Sequence, residues 1–162
     1  MKVAIIMGSD SDWPILEPAY NFLKSFGIES EVHVASAHRT PSKVREIVTT
    51  AGERKIGVFI VAAGAAAHLA GVVASYTVLP VVAIPVNATS LNGLDALLAT
   101  VQMPSGVPVA TMAVNGGKNA AIFAAQILAL SNSELAQKLA DYRQKMQDEV
   151  EAKNQKLQAS LQ

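Results

Sequence analysis

Lys2-Val3-Ala4-Ile5-Ile6-Met7, followed at once by Gly8-Ser9-Asp10-Ser11-Asp12, decides how this chain folds. A short, almost wholly apolar run cut off by a polar turn reads as a strand buried on both faces. The turn leads into a helical pattern, Pro14–Phe26, stopped by Gly27. The same alternation continues. Strands are expected at Ser30–Ala35, Gly57–Ala62, Val81–Ile84 and Val109–Ala113, and helices at Pro41–Glu53, Ala67–Ser75, Leu94–Val101 and Asn119–Leu130. Repeated βα units with apolar strands predict an α/β fold, a three-layer αβα doubly wound parallel sheet in the flavodoxin-like order 2-1-3-4-5.

In such a sheet a site forms beyond the carboxyl ends of the strands. The loops there are Gly8–Asp12, Ser36–Thr40, Ala63–His68 and Pro85–Gly93, the last long enough to act as a lid. They hold most of the unusual polar residues, so all four are expected to converge on one crevice.

The chain has 162 residues, suited to a single domain over 1–162. Half of it is apolar (51%) but only 5% is aromatic, so Ala, Val, Ile and Leu must fill the core. Thirteen basic and thirteen acidic side chains balance, which argues against a nucleic-acid partner. No cysteine is present, excluding a disulfide framework and a thiolate metal site. The N-terminal apolar run is interrupted too early for a signal peptide, and no run reaches the ~18 residues of a membrane span. A cytoplasmic protein with no membrane partner is expected. From about Ser133 the chain is charged, with Leu135, Leu139, Tyr142 and Met146 at spacings of 4, 3 and 4. This predicts an amphipathic helical arm over 133–162 that either packs on its own domain or grips another subunit. Ala120–Leu130 is apolar nearly all round, which favours a homo-oligomer.

Ser36-Ala37-His38-Arg39-Thr40-Pro41 is the richest chemical stretch. Thr40 and Pro41 suit the N-cap and first position of a helix. His38 can exchange one proton near neutral pH, and Arg39 can hold a phosphate or carboxylate through two hydrogen bonds. In Gly8–Asp12, Gly8 allows a sharp turn, Ser9 and Ser11 supply hydroxyls, and Asp12 suits sugar hydroxyls; taken alone, helix capping by Ser11 or Asp12 is the simpler explanation of the turn. In Ala63–Gly71 the tiny side chains, including Gly64, Ala65 and Ala66, allow either a tight pocket or close helix–sheet packing, and His68 starts the next helix. His33, His38 and His68 lack metal-site spacing, and neither a dinucleotide fingerprint nor a P-loop is present.

Together these blocks resemble the PurE family of purine biosynthesis, closest to its class I members. The matching segments are Met7–Trp13, Ser36–Pro41, Ala63–Leu69, Leu91–Asp95, Val101–Pro104 and Asn119–Ala121, in family order over about residues 2–145. The resemblance implies a mutase converting 5-(carboxyamino)imidazole ribonucleotide to 4-carboxy-5-aminoimidazole ribonucleotide, with no cofactor and no metal. It implies an octamer and transient contact with the synthetase that forms the carbamate. Carried over, Ser9, Ser11 and Arg39 hold the 5′-phosphate and Asp12 the ribose. Ser36 and Gly64–Ala66 line the base and carboxylate pocket, His68 and Leu69 close it, and His38 is the general acid–base. The chain departs from the family pattern at Ala65 (commonly Gly), Ala70 (commonly Pro) and Ser105, and is shorter around Val114–Lys118. Two alternatives remain: direct carboxylation by free CO2, as in class II members, which usually carry Lys at the position of Arg39, and a non-catalytic nucleotide-binding module.

Overall fold

A computed structural model describes residues 1–161. It divides into two compact units, Met1–Leu128 and Ala129–Gln162.

The first unit is a five-stranded parallel sheet in the order 2-1-3-4-5, as expected. Its strands are β1 (Lys2–Met7), β2 (Ser30–Val34), β3 (Ile56–Gly64), β4 (Val81–Val86) and β5 (Ala110–Thr111). The helices are α1 (Trp13–Ser25), α2 (Pro41–Thr49), α3 (Leu69–Ser75), α4 (Leu94–Val101) and α5 (Gly117–Ala129), with a 3-10 turn at Asp10–Asp12 before α1. β1 and β3 are the spine. Val3–Met7 and Ile56–Ala62 are all buried, because alternate side chains enter the layers on either side of the sheet. On one side Ala4, Ile6, Phe59, Val61 and Ala83 pack with Val44, Ile47 and Val48 of α2 and Leu69, Ala70 and Val73 of α3.

Most elements shift by one to three residues from the sequence expectation, and three of the differences have a local cause. β5 is only two residues long: Pro108 lacks a ladder donor just before it, and Ala113–Gly116 turns, with Gly116 N–H on the Ala113 carbonyl at 2.9 Å and Asn115 left-handed. β4 runs on through Pro85 to Val86, which the sheet tolerates because β5 pairs only with Val82 and Ala83. α2 ends at Thr49 rather than Glu53. Thr49 and Thr50 hydroxyls bond the Arg45 and Glu46 carbonyls, and Arg54 caps the Ile47 carbonyl at 2.6 Å.

β2 is an edge strand with Val32 and Val34 exposed. Its other face carries Glu31 and His33. Arg54 Nε lies 3.0 and 3.1 Å from the two Glu31 oxygens, and its guanidinium also meets Thr50 Oγ1. Burial pushes the Glu31 carboxyl up, but the hydrogen bonds from His33 and Arg54 outweigh it, so its pKa lies below the usual range.

The second unit contains α6 (Ser133–Ser160), started by the Asn132 side chain, which accepts the Leu135 N–H at 3.0 Å. Glu134–Lys138, Gln137–Asp141 and Gln144–Asp148 pairs run along its surface at i,i+4.

Gly117, the first residue of α5, lies so close to the Ile15 carbonyl that a Cβ there would overlap it. Gly117→Ala is expected to cost about 1–3 kcal/mol. In urea unfolding the midpoint should fall at constant slope; an unchanged midpoint would mean that α1 and α5 can move apart freely.

Candidate active site

At the carboxyl ends of the strands lies a cavity of about 390 Å³. Gly8, Ser9, Ser11, Asp12, Ser36, Ala37, His38, Arg39, Ala63, Gly64, Ala65, Ala66, Leu69 and Ala88 line it. All four strand-end loops contribute. Of the expected site residues only His68 is absent from the lining, and Gly8, Ala37, Ala63 and Ala88 are added.

The first turn is a closed hydroxyl network. Ser9 caps the 3-10 turn Asp10–Asp12: its Oγ accepts the Ser11 N–H at 3.3 Å and the Ser11 hydroxyl at 2.8 Å. Asp12 makes no side-chain cap to α1. It is 7% exposed, and burial raises its carboxyl above the ordinary value near 3.8, opposed by a hydrogen bond from the Ser9 backbone. A buried carboxylate that does not cap its helix is well placed to take hydroxyl donors from a ligand.

The second turn is rigid for a different reason. Thr40 stands at the N-cap position, yet its hydroxyl does not cap α2. It accepts the Ser36 N–H at 2.8 Å, while the Ser36 hydroxyl accepts the Arg39 N–H at 3.2 Å. These bonds present His38 and Arg39 outward from one closed loop. The Arg39 guanidinium reaches back to the Gly8 carbonyl at 3.2 Å, joining the two turns and bringing a cation to the hydroxyls of Ser9 and Ser11.

The third loop depends on small residues. A Cβ on Gly64 would lie 2.7 Å from the Ala88 Cβ, so glycine lets the fourth loop close against the third. Ala65 is left-handed at φ 53°, a conformation that a Cβ disfavours. Ala67 and His68 spend their N–H groups on the Ala65 and Ala66 carbonyls at 2.9 and 2.8 Å. The fourth loop is tied down on both flanks: Asn87 N–H to Asn115 Oδ1 at 2.9 Å, and the Thr89 hydroxyl to Asp95 Oδ2 at 2.8 Å.

His68 sits beside the cavity rather than in its wall. Its Nδ1 lies 2.9 Å from Nε2 of His38, and the two rings meet edge to face with centroids 5.0 Å apart. Sequence reasoning gave each histidine a role but missed that they touch. The signal was present in the strand order: β2 and β3 flank β1, so residues just past their ends can lean together over Met7.

The chain matches the AIR carboxylase family model over residues 2–149. It belongs to that family. An N5-carboxyaminoimidazole ribonucleotide mutase of Methanocaldococcus jannaschii is 57% identical over 155 residues, 96% of each chain. One from Thermotoga maritima is 52% identical, over 97% of this chain and 92% of its own. Among solved structures, Treponema denticola PurE superposes with a TM-score of 0.85 at 31% identity, covering 96% of this chain and 97% of its own. A serine-to-aspartate variant of Treponema denticola PurE2 gives 0.86 at 30%, covering 97% and 99%.

Asp12 offers a test of the site's electrostatics. A carboxyl raised by folding contributes stability that is complete below about 3.8 and lost as pH rises through its folded-state value. Asp12→Asn removes the cost of ionising it there. At neutral pH the variant should melt higher, by about 2–4 °C per kcal/mol relieved, and the gain should vanish below the ordinary carboxyl range. A variant melting lower than wild type at neutral pH would contradict this.

Proposed function

We propose that this protein is an N5-carboxyaminoimidazole ribonucleotide mutase, moving the carboxylate from the exocyclic nitrogen to ring carbon 4. The observation that carries the reading is the convergence of His38, Arg39, Asp12 and the two serines on one cavity, in a chain more than half identical to proteins bearing that name.

In this reading Arg39, Ser9 and Ser11 hold the 5′-phosphate and Asp12 the ribose hydroxyls. Ser36 and Gly64–Ala66 face the base and its carboxylate, with Leu69 behind them. His38 is the general acid–base. The carbamate N–C bond breaks with its electron pair left on nitrogen, which takes a proton from His38, and CO2 is released into the cavity. Carbon 4 forms the new C–C bond using the enamine pair of the ring. His38 then takes the proton from carbon 4, and aromaticity returns. One proton goes out and one comes back, so the isomerisation balances without a cofactor. Holding CO2 beside carbon 4 supplies the proximity advantage, and escape would abort the transfer.

The protein works in the cytoplasm as a homo-oligomer, an octamer, and receives the carbamate by transient contact with the synthetase that makes it. No helix among the described residues is long and apolar enough to cross a membrane. On α6, Met146, Val150 and Leu157 are exposed at 49%, 65% and 56%. An apolar stripe along a solvent-facing helix is better satisfied against another subunit. Charge at Val150 and Leu157 (Val150→Lys with Leu157→Lys) should lower the mass seen by sedimentation; an unchanged mass would remove α6 from the assembly.

The deciding assay supplies the carbamate without ATP or bicarbonate. The carbon-4 carboxylate should form, and His38→Asn should lower kcat by about 10²–10⁴-fold. Turnover only of aminoimidazole ribonucleotide with CO2 would assign the direct carboxylase instead, and binding without turnover a non-catalytic module.

A further inference from the structure

The contact between His38 and His68 carries a consequence for how the proton is handled. Two imidazole nitrogens 2.9 Å apart share a single hydrogen, since two hydrogens would collide and none would set lone pair against lone pair. Two arrangements satisfy this. If His38 Nε2–H donates to His68 Nδ1, both rings are Nε2–H tautomers. If His68 Nδ1–H donates, both are Nδ1–H tautomers. The Nε2–H form is the intrinsically preferred neutral form of histidine, so the first arrangement has both rings in their better state.

His68 is fixed at the head of α3. Its own N–H bonds the Ala66 carbonyl, and its carbonyl accepts the Val72 N–H at 3.0 Å as the start of α3. Ala67, just before it, is buried and gives its N–H to the Ala65 carbonyl at 2.9 Å. His38 lines the cavity, and His68 does not.

We infer that His68 is a positioning residue: its Nδ1 accepts the Nε2–H of His38, leaving Nδ1 of His38 as the nitrogen that gives and takes the substrate proton. This rests on the general acid–base role given to His38 above. When His38 carries a proton on Nδ1, its Nε2–H becomes a charge-assisted donor to His68, which stabilises the imidazolium without His68 touching substrate. When that proton leaves, the same bond persists and the ring does not turn. The hydrogen on Nε2 stays in place through the whole cycle.

Long-range 1H–15N spectra of the full-length, labelled, substrate-free protein at about pH 8.5, two units above the ordinary histidine value, read the tautomer directly. Loss of signals in His38→Asn assigns the ring. Wild type should show His38 with a pyrrole-like Nε2 and a pyridine-like Nδ1. His68→Asn, whose amide oxygen can stand where Nδ1 stood, should keep that pattern and turn over within about fivefold of wild type. His68→Ala should give mixed tautomers and a kcat about 10- to 100-fold lower, part of the ~10²–10⁴ an acid–base group supplies, with KM changed less than about threefold. An Nδ1–H tautomer in wild type, or a His38 pattern unmoved in His68→Ala, overturns the proposal. Because the spectra need no substrate, a failed turnover assay would reject the function while the tautomer still decides the role of His68.

Discussion

β1 is hydrogen-bonded to β2 on one side and β3 on the other, with Met7 level with both Val34 and Ala62. Everything about the cavity depends on that placement. Parallel pairing puts every carboxyl end on the same rim, and the chain leaves β1 towards β2 but leaves β3 towards β4, so a crevice opens between the carboxyl ends of these two neighbours. Strands two apart in a sheet are separated by about 10 Å. Side chains from the turns after β2 and β3 can span that distance only by meeting in the middle, as His38 and His68 do. The ladder therefore positions chemistry by register, with loops that differ in sequence but end at matched heights.

The walls of the gap are made of what is missing. Ala37, Ala63, Ala65, Ala66 and Ala88 line the cavity with methyl groups, and Gly64 allows the third and fourth loops to touch. A larger residue at any of these places would fill the cavity. The site also carries costs: a carboxyl raised by burial at Asp12 and a left-handed alanine at position 65. They are borne by a core in which β1 and β3 are buried along nearly their whole length, and by local ties such as Arg54 on Glu31. Unfavourable groups concentrated at a ligand site and offset elsewhere are the usual trade between stability and activity.

Much of this was legible in the order of residues. Apolar runs broken by polar turns determined an α/β chain with a parallel sheet, and the turns after the first two strands named the candidate chemistry: Ser9, Asp12, His38 and Arg39. Those inferences work because burial on both faces demands continuous apolar strands, and because polar residues at strand ends have few structural reasons to be there. Local competition was harder to see. Ser9 caps a 3-10 turn that precedes α1 and leaves α1 without a side-chain cap, Thr40 turned its hydroxyl to Ser36, and β5 shrank to two residues between Pro108 and a left-handed Asn115. Each outcome turns on which of several adjacent donors and acceptors reach one another, and spacing along the chain does not rank them.

The residues by themselves determined the layers, the strand order and which loops could hold a phosphate and a proton donor, since these follow from periodicity and residue type. Only the tertiary structure decided that His68 leaves the wall of the cavity to meet His38, that Asp12 is buried without capping its helix, and that Arg39 bridges to Gly8. Those pairings join positions up to 31 residues apart, and a distance of 2.9 Å between two imidazole nitrogens exists only once the sheet has aligned the turns that carry them.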